Sequence, residues 1–582
     1  MRVRVPLVSL VMAVVFLAGW PAAAQDWPQW ALNPQHTGAS SAVGQRLDQN
    51  LADVVYDPLV PQETAATGGA LAAHFQSPLV DGSDVYMMFK SGTFDPTDFS
   101  TQTWGETKYL FSGKTLNVAW QFTTDWKAPG SLFHDFAEPV FHPALANGFL
   151  YVPGAGGTLI KVNKSTGAQV ARINPFGTLI LSSRFTISPI TVDAAGNLYY
   201  NALQLKAGTK TFYSDDVVDS WLVKVTPGGI ISKVSYRTLV PDAPAATAPC
   251  EVTFSNAVLP WPPSPTAVAP TTPCGSVRAA VSAAPAIAPD GTIYTLARAH
   301  NAAANRYSWL VAVNPNLTRK WDSSLRNRFH DGCGVSISEG GVLPPNGAPG
   351  GCRAGANFGV DPGVNHAGDG RVFDSSTASP VVAPDGSIFY GAFTRYNYAQ
   401  GHMMHFAADG SFLGAYRYGF DTTPGIRAHG GTYSVLLKDN QYGGLGSYCN
   451  VEAICPSDRT ATNPEYPEAF FVTELNHNLE VEWRFQSTNT LSCSRDANGD
   501  VTCVDDHPHG FEWCVDAFVI DGNGVAYVNS EDGNLFAINP DGTLRQEIFQ
   551  QLALAAAYTP TSIGSDGRIY SQNAGHLFVV GE

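Results

Sequence analysis

Short apolar runs recur eight times along this chain, and most end in a turn signal followed by an aromatic residue. The clearest copies are Ser77-Pro78-Leu79-Val80-Asp81-Gly82 leading to Tyr86, Ala284-Pro285-Ala286-Ile287-Ala288-Pro289-Asp290-Gly291 leading to Tyr294, and Ser379-Pro380-Val381-Val382-Ala383-Pro384-Asp385-Gly386 leading to Tyr390. Others begin at His142-Pro143, Ser188-Pro189 and Thr559-Pro560, and one without the proline runs from Ala517 through Asp521-Gly522 to Tyr527. The eighth, near Thr432 to Leu436, lacks both signals and is inferred from the gap its neighbours leave. Asp-Gly supplies the positive φ angles of a tight hairpin turn, and the flanking alternation of apolar residues marks strands. Proline at the head of a copy suits the first residue of a strand, where no ladder donor is lost.

Most copies are followed by a second strand pair, as in Gly157 to Asn163, Trp309 to Pro315 and Asn534 to Gly542. Four strands per unit follow. A four-stranded sheet with two apolar faces cannot cover itself, and repeating it radially buries both faces while leaving only short edges. The pattern therefore predicts an all-β fold, an eight-bladed β-propeller of four-stranded antiparallel blades. The last copy stops at Leu577-Phe578-Val579-Val580 without a fourth strand, whereas Leu51-Ala52-Asp53-Val54-Val55-Tyr56 has no blade of its own. The N-terminal strand is expected to complete the final blade and remove its open edge.

Met1-Arg2-Val3-Arg4, an apolar run from Val5 to Trp20 and Pro21-Ala22-Ala23-Ala24 read as a secretory signal peptide over residues 1–24. The run is short for a membrane anchor, and no cysteine follows it to carry a lipid. The expectation is one propeller domain over 25–582, monomeric, periplasmic or secreted, with no transmembrane segment in the mature chain. The formal charge of the whole chain is -16, and loss of Arg2 and Arg4 makes it more acidic, which argues against nucleic acid as a partner. Only 14% of residues are charged, so solubility rests on Ser, Thr, Asn and Gly.

Four stretches depart from the repeats: 240–283, 327–378, 438–468 and 486–515. Loops of this length usually carry function. The 9 cysteines fall in or beside them, and proximity pairs Cys250 with Cys274, Cys333 with Cys352, Cys449 with Cys455 and Cys493 with Cys503. Cys514 is left over, although Cys449 or Cys503 could take it instead. In an oxidising compartment such pairs read as loop staples; zinc ligation is the competing reading, and no CxxC pair supports it. The insertions are expected to crowd over one end of the central channel, with decoration of the outer rim as the alternative.

Histidines and acids concentrate there. His330-Asp331, His366, Asp369, His429 and Asp505-Asp506-His507-Pro508-His509 are candidates for a metal site or for acid and base work. The bland reading of the last group is a polar turn between cysteines. His402 and His405 lie three apart on an expected strand and should face opposite ways. Asp496-Ala497-Asn498-Gly499-Asp500 has the start of a calcium loop but lacks the closing Glu, and Gly113-Lys114-Thr115 fails as a phosphate loop because Lys108 stands where the first glycine belongs.

Asp26-Trp27-Pro28-Gln29-Trp30 followed by Asn33-Pro34-Gln35-His36-Thr37-Gly38 resembles the opening of secreted proteins built from pyrroloquinoline-quinone-binding-like (PQQ-like) repeats. The turns that lead to Trp120, Trp321 and Trp483 resemble that family's repeat cores, which implies that these indoles pack between neighbouring blades. The resemblance covers nearly the whole mature chain. Quinoprotein alcohol dehydrogenases of this superfamily hold the quinone between a tryptophan and a disulfide of adjacent cysteines, with calcium on Glu, Asn and Asp. This chain has no adjacent cysteine pair and no haem motif. Another branch uses the propeller as a binding scaffold, as in the lipoprotein that assists outer-membrane protein assembly.

Two functions are therefore expected. The first is a module binding a small-molecule ligand, glycan or extracytoplasmic protein through its insertion-bearing face. The alternative is a PQQ-dependent dehydrogenase, with PQQ and calcium, oxidising alcohols or sugars, or another metal-dependent propeller enzyme. For an enzyme the candidate catalytic groups are Asp505, Asp506, His507 and His509, helped by His330 and His429.

Overall fold

A computed structural model describes residues 26–135, 137–213, 216–335, 345–348, 351–394, 396, 400–419, 422–441, 468–496, 499–514, 517–554 and 559–582. Within them the chain forms eight four-stranded antiparallel blades, here with strands A to D from the channel outward. Blade 1 comprises Leu79–Asp81, Asp84–Gly92, Gln102–Ser112 and Thr115–Thr123; blade 2, Ala144–Ala146, Phe149–Gly154, Thr158–Asn163 and Gln169–Ile173. In blade 3 a split inner edge, Arg184–Thr186 and Thr191–Val192, precedes Leu198–Gln204, Asp219–Val225 and Ile231–Ser235. Blade 4 likewise has Val277–Ala279 and Ala286–Ile287 before Ile293–Ala299, Ser308–Val313 and Arg319–Ser324. Blade 5 is Val381–Val382, Ile388–Phe393, Gln400–Phe406 and Phe412–Gly419. Blade 6, whose repeat is faintest in the sequence, is Gly425–His429, Thr432–Gln441, Ala469–Asn476 and Val481–Gln486. Blade 7 is Val519–Ile520, Ala526–Asn529, Asn534–Ile538 and Leu544–Phe549.

Blade 8 takes Ser562–Ile563, Ile569–Asn573 and His576–Gly581 from the C-terminal end and its outer strand, Gln49–Val55, from the N-terminal end. The first described strand thus covers the edge of the last.

Upstream of that strand, residues 27–45 line the inside of the channel and bond to each inner edge in turn. Trp27 exchanges two backbone hydrogen bonds with Val80 of blade 1, and Pro28 O accepts from Leu145 of blade 2. The Gln29 amide pairs with the Val192 backbone of blade 3, donating at 3.2 Å and accepting at 2.6 Å. Pro34 O accepts from Ile287 of blade 4, Gln35 O from Val382 of blade 5 and Thr37 O from Ile426 of blade 6. Gly38 and Ser40 pair with Ile520 of blade 7, and Gln45 N donates to Gly567 O at the turn of blade 8. Gly38 has φ 65°, and a Cβ there would lie 2.1 Å from the Phe518 carbonyl oxygen, so this position excludes any side chain. Trp30, fully buried, fills the channel against Ala284 of the blade 4 entrance and Ala517 of blade 7, with its ring edge-on to His142 of blade 2 at 5.4 Å.

Trp120, Trp321 and Trp483 each sit on a D strand and reach the C–D turn of the next blade, donating from Nε1 to Lys164 O, Ala408 O and Pro540 O at 3.2, 3.0 and 3.1 Å. A bulge of one extra residue immediately before each tryptophan shifts the register and re-aims the indole. Each indole covers a glycine of positive φ: Gly167, Gly410 and Gly542. A Cβ on them would lie 2.7 to 2.8 Å from the ring.

Antiparallel order fixes two faces. A–B and C–D turns leave one end of the ring, and B–C loops and D–A connections leave the other. The described residues of the first, second and fourth insertions belong to D–A connections of the second kind, so they share one face; residues 442–467 of the third lie outside the described residues. Cys250–Cys274, Cys333–Cys352 and Cys493–Cys503 are disulfides and Cys514 is free; the Cys449–Cys455 pair lies outside the described residues. The first two insertions share a small core of Phe254, Trp261, Ala269, Val364 and the Cys333–Cys352 bridge. No described helix is long and apolar enough to cross a membrane.

Truncating Trp30 to alanine leaves a void at the channel centre that the ring cannot close, and is expected to cost about 3–5 kcal/mol in urea unfolding. Gly410→Ala places a Cβ against Trp321 in left-handed backbone and should cost about 1–3 kcal/mol in the same measurement.

Candidate functional site

The insertion face is held together by buried charge. The Lys90 amine, from the B strand of blade 1, lies 3.0 Å from Asp57 of the connection between blades 8 and 1 and 2.9 Å from Glu138 of the connection between blades 1 and 2, all three buried. Helix α1 (Val60–Thr67) adds Glu63, whose Oε1 accepts from the amides of Ala72 and Ala73. Burial lifts this carboxyl to about 7 against the opposing pull of Lys90. Across the face Asp374 is chelated by Arg278 and also meets Arg298 at 3.2 Å. Arg306 binds Asp361 and Asp369, and Glu251 receives Arg326 and His366. These pairs join the first two insertions to blade 4, where losing one partner would strand a buried charge.

Asp331 forms the tie to blade 5. Its Oδ2 lies 2.6 Å from His402 Nε2, its Oδ1 accepts from the Tyr396 hydroxyl, and Arg417 stands 3.6 Å away. Burial opposes the charge of Asp331, but His402, Arg417 and Tyr396 outweigh it and hold the carboxyl well below the usual range. Phe329 stacks on the imidazole at 3.9 Å, and His402 is 2% exposed. With Nδ1 facing Thr394 Oγ1 at 3.3 Å, both ring nitrogens are engaged, so the pair works as an anchor. His405 points the other way, stacked on Phe389 at 4.2 Å.

The other candidates are spread out. Asp505 ends an exposed ribbon, Leu491–Arg495 paired with Val501–Asp505 and bridged by Cys493–Cys503. Asp506 accepts from Ser492 Oγ and from His507 Nδ1 at 2.6 Å, and these bonds hold its carboxyl low. His507 stacks on Phe511 at 3.9 Å, whereas His509 Nε2 is buried with no partner among the described residues. His330 is exposed beside Asp331. His429 ends the A strand of blade 6, so it lies on the turn face, opposite His330, His507 and His509. It borders a cleft of about 690 Å³ with Asp385, Tyr433 and His477, and bonds Ser434 Oγ at 2.7 Å. Among the described residues no three His, Cys, Asp or Glu side chains come together as a metal-holding group.

One open concavity on the insertion face, among the described residues, is a cleft of about 530 Å³ formed by residues 98–100 and 127–130 of blade 1 and its exit, 182–185 on the way into blade 3, and 207–210 of the blade 3 B–C loop. Its polar groups include Lys127, Lys210, Asp98 and several hydroxyls, and Phe185 supplies a ring. Nothing in the sequence singles out these residues, which come from four separate connections.

A quinone over the channel does not fit these residues. The Ser282 hydroxyl meets Val140 N at 3.3 Å, Ser282 N donates to Ile187 O, and Val281 N donates to Asp374. His74 reaches the backbone of Ser375 from the opposite side of the ring. The mouth is therefore packed with protein. The three described disulfides join residues 24, 19 and 10 apart, and none offers the planar face of an adjacent-cysteine bridge.

No family model matches the sequence, and no curated protein matches it. Solved structures do. A quinohemoprotein alcohol dehydrogenase from Comamonas testosteroni is similar at TM-score 0.48 and 11% identity, over 96% of this chain and 81% of that one. A europium-containing methanol dehydrogenase is similar at TM-score 0.45 and 11% identity, over 94% and 89%. BamB from Moraxella catarrhalis is similar at TM-score 0.40 and 11% identity, over 92% and 99%. The chain is an eight-bladed β-propeller, similar in fold to these proteins.

Because burial keeps Glu63 protonated in the folded state up to about pH 7, whereas the unfolded chain releases that proton near pH 4.5, stability falls as pH rises between those values. Glu63→Gln, which still accepts from Ala72 and Ala73, should flatten that decline by up to about 1 kcal/mol per pH unit. Urea unfolding at pH 5, 6 and 7 measures it.

Proposed function

We propose that this chain is an extracytoplasmic binding module that takes a small ligand, a glycan or a partner protein on its insertion face. The observation that carries the reading is the asymmetry of the ring. The strap of residues 27–45 bonds one blade after another from inside and ends at the blade 8 turn, Trp30 fills the channel, and the described insertion residues leave the opposite face, where an open cleft presents a few convergent polar groups. Binding sites belong in such concavities with a few convergent polar groups. Disulfides in the insertions favour an oxidising compartment, in keeping with residues 1–24 as a signal peptide and with a periplasmic or secreted monomer. The same rigid frame can host unrelated sites, so the face is the basis for the proposal and the fold alone is not.

The test is a thermal-shift screen of the mature protein against saccharides, small carboxylates, amines and PQQ with calcium. Hydrogen exchange of each hit then locates it. Hits are expected to slow exchange at 98–100, 127–130, 182–185 and 207–210, and PQQ with calcium to give no shift. Protection confined to 384–385 and 428–433 on the turn face would overturn the proposal.

A further inference from the structure

The cleft over blades 1 to 3 carries an imbalance that points to the chemistry of its ligand. Lys127 leaves the end of blade 1 and lodges its amine against two neutral oxygens, Gln102 O and Thr103 Oγ1, the latter at 3.3 Å. Among the described residues no carboxylate makes an ion pair with it. The second amine of the cleft, Lys210, is different, since it is spent on Asp98 across the rim. Burial depresses the Lys127 pKa, with Asp98 opposing. Around it, exposed Ser182 and half-buried Ser183 present hydroxyls with no hydrogen bond to a described protein group, and half-buried Phe185 lies in the cleft wall.

We infer that this cleft binds a saccharide bearing a carboxylate, with the acid on Lys127, the ring hydroxyls on Ser182 and Ser183, and an apolar sugar face on Phe185. An ammonium facing an oxyanion makes the strong, short class of hydrogen bond, while a polyol matches the unpaired hydroxyls and covers the phenyl ring with its C–H groups. A volume of about 530 Å³ lies within the range of small-molecule sites and admits a short oligosaccharide. A purely apolar ligand would leave the amine and the hydroxyls desolvated without partners, at a penalty. The inference rests on the insertion face being the binding face and adds the class of ligand.

Isothermal titration with digalacturonate, and with the neutral digalactose of the same linkage, tests it on the mature protein, Lys127→Gln and Lys127→Arg. The expected result is saturable binding of the acid, about tenfold or more tighter than the neutral sugar. That preference should be lost in Lys127→Gln, kept in Lys127→Arg, and weakened by salt. Equal affinity for both sugars, or acid binding indifferent to Lys127→Gln, overturns the acidic-saccharide assignment. In that case exchange protection of the cleft by some other hit leaves the face reading intact, and absence of protection there by any ligand removes both.

Discussion

Eight sheets arranged in a circle have no intrinsic reason to stop at eight or to stay in one plane, and in this protein one segment supplies that constraint. Residues 27–45 touch the inner edges of blades 1 to 7 and the turn of blade 8 in chain order, using backbone groups at most positions and the amides of Gln29 and Gln35 at two. The inner strands are two or three residues long in most blades, too short to satisfy their own edges, so the strap completes their hydrogen bonding from inside. Because it then continues as the outer strand of blade 8, the same segment seals the hub and the rim. Trp30 at the axis, the bulge-aimed indoles and the one-sided insertions all presuppose a circle already closed.

Much of this architecture was legible in the chain. Asp81-Gly82, Asp290-Gly291 and Asp385-Gly386 sit at A–B turns where their neighbours predicted them, because positive φ is a local demand that local residues must meet. Blade 6 was readable only from spacing. Its A–B turn is Gly430-Gly431 between His429 and Thr432, so the same backbone need is met without the aspartate that marks it elsewhere. The role of the opening segment could not be read at all from Trp27 to Gln45, since its partners lie throughout the chain and no periodicity records an inward-facing strap.

The candidate site was much less legible. His330-Asp331 drew notice as a pair, yet the partner of Asp331 is His402, 71 positions away on the next blade. His429 shares a residue type with His507 and His509 and nothing else, because strand direction sends it to the other end of the ring. Lys127, Ser182, Ser183 and Phe185 carry no motif. They meet only because connections from successive blades rise side by side at one face, a consequence of topology that composition does not encode.

The join in blade 8 also sets an order of events during biogenesis. Gln49–Val55 is synthesised more than five hundred residues before its partner strand, His576–Gly581. The strap likewise needs inner edges that do not yet exist. Until that partner strand is made, Gln49–Val55 lacks its native neighbour, and contacts of such long sequence separation form late, which makes closure slow. A ring built this way cannot lock before both strands of that join exist, however early the blades between them fold.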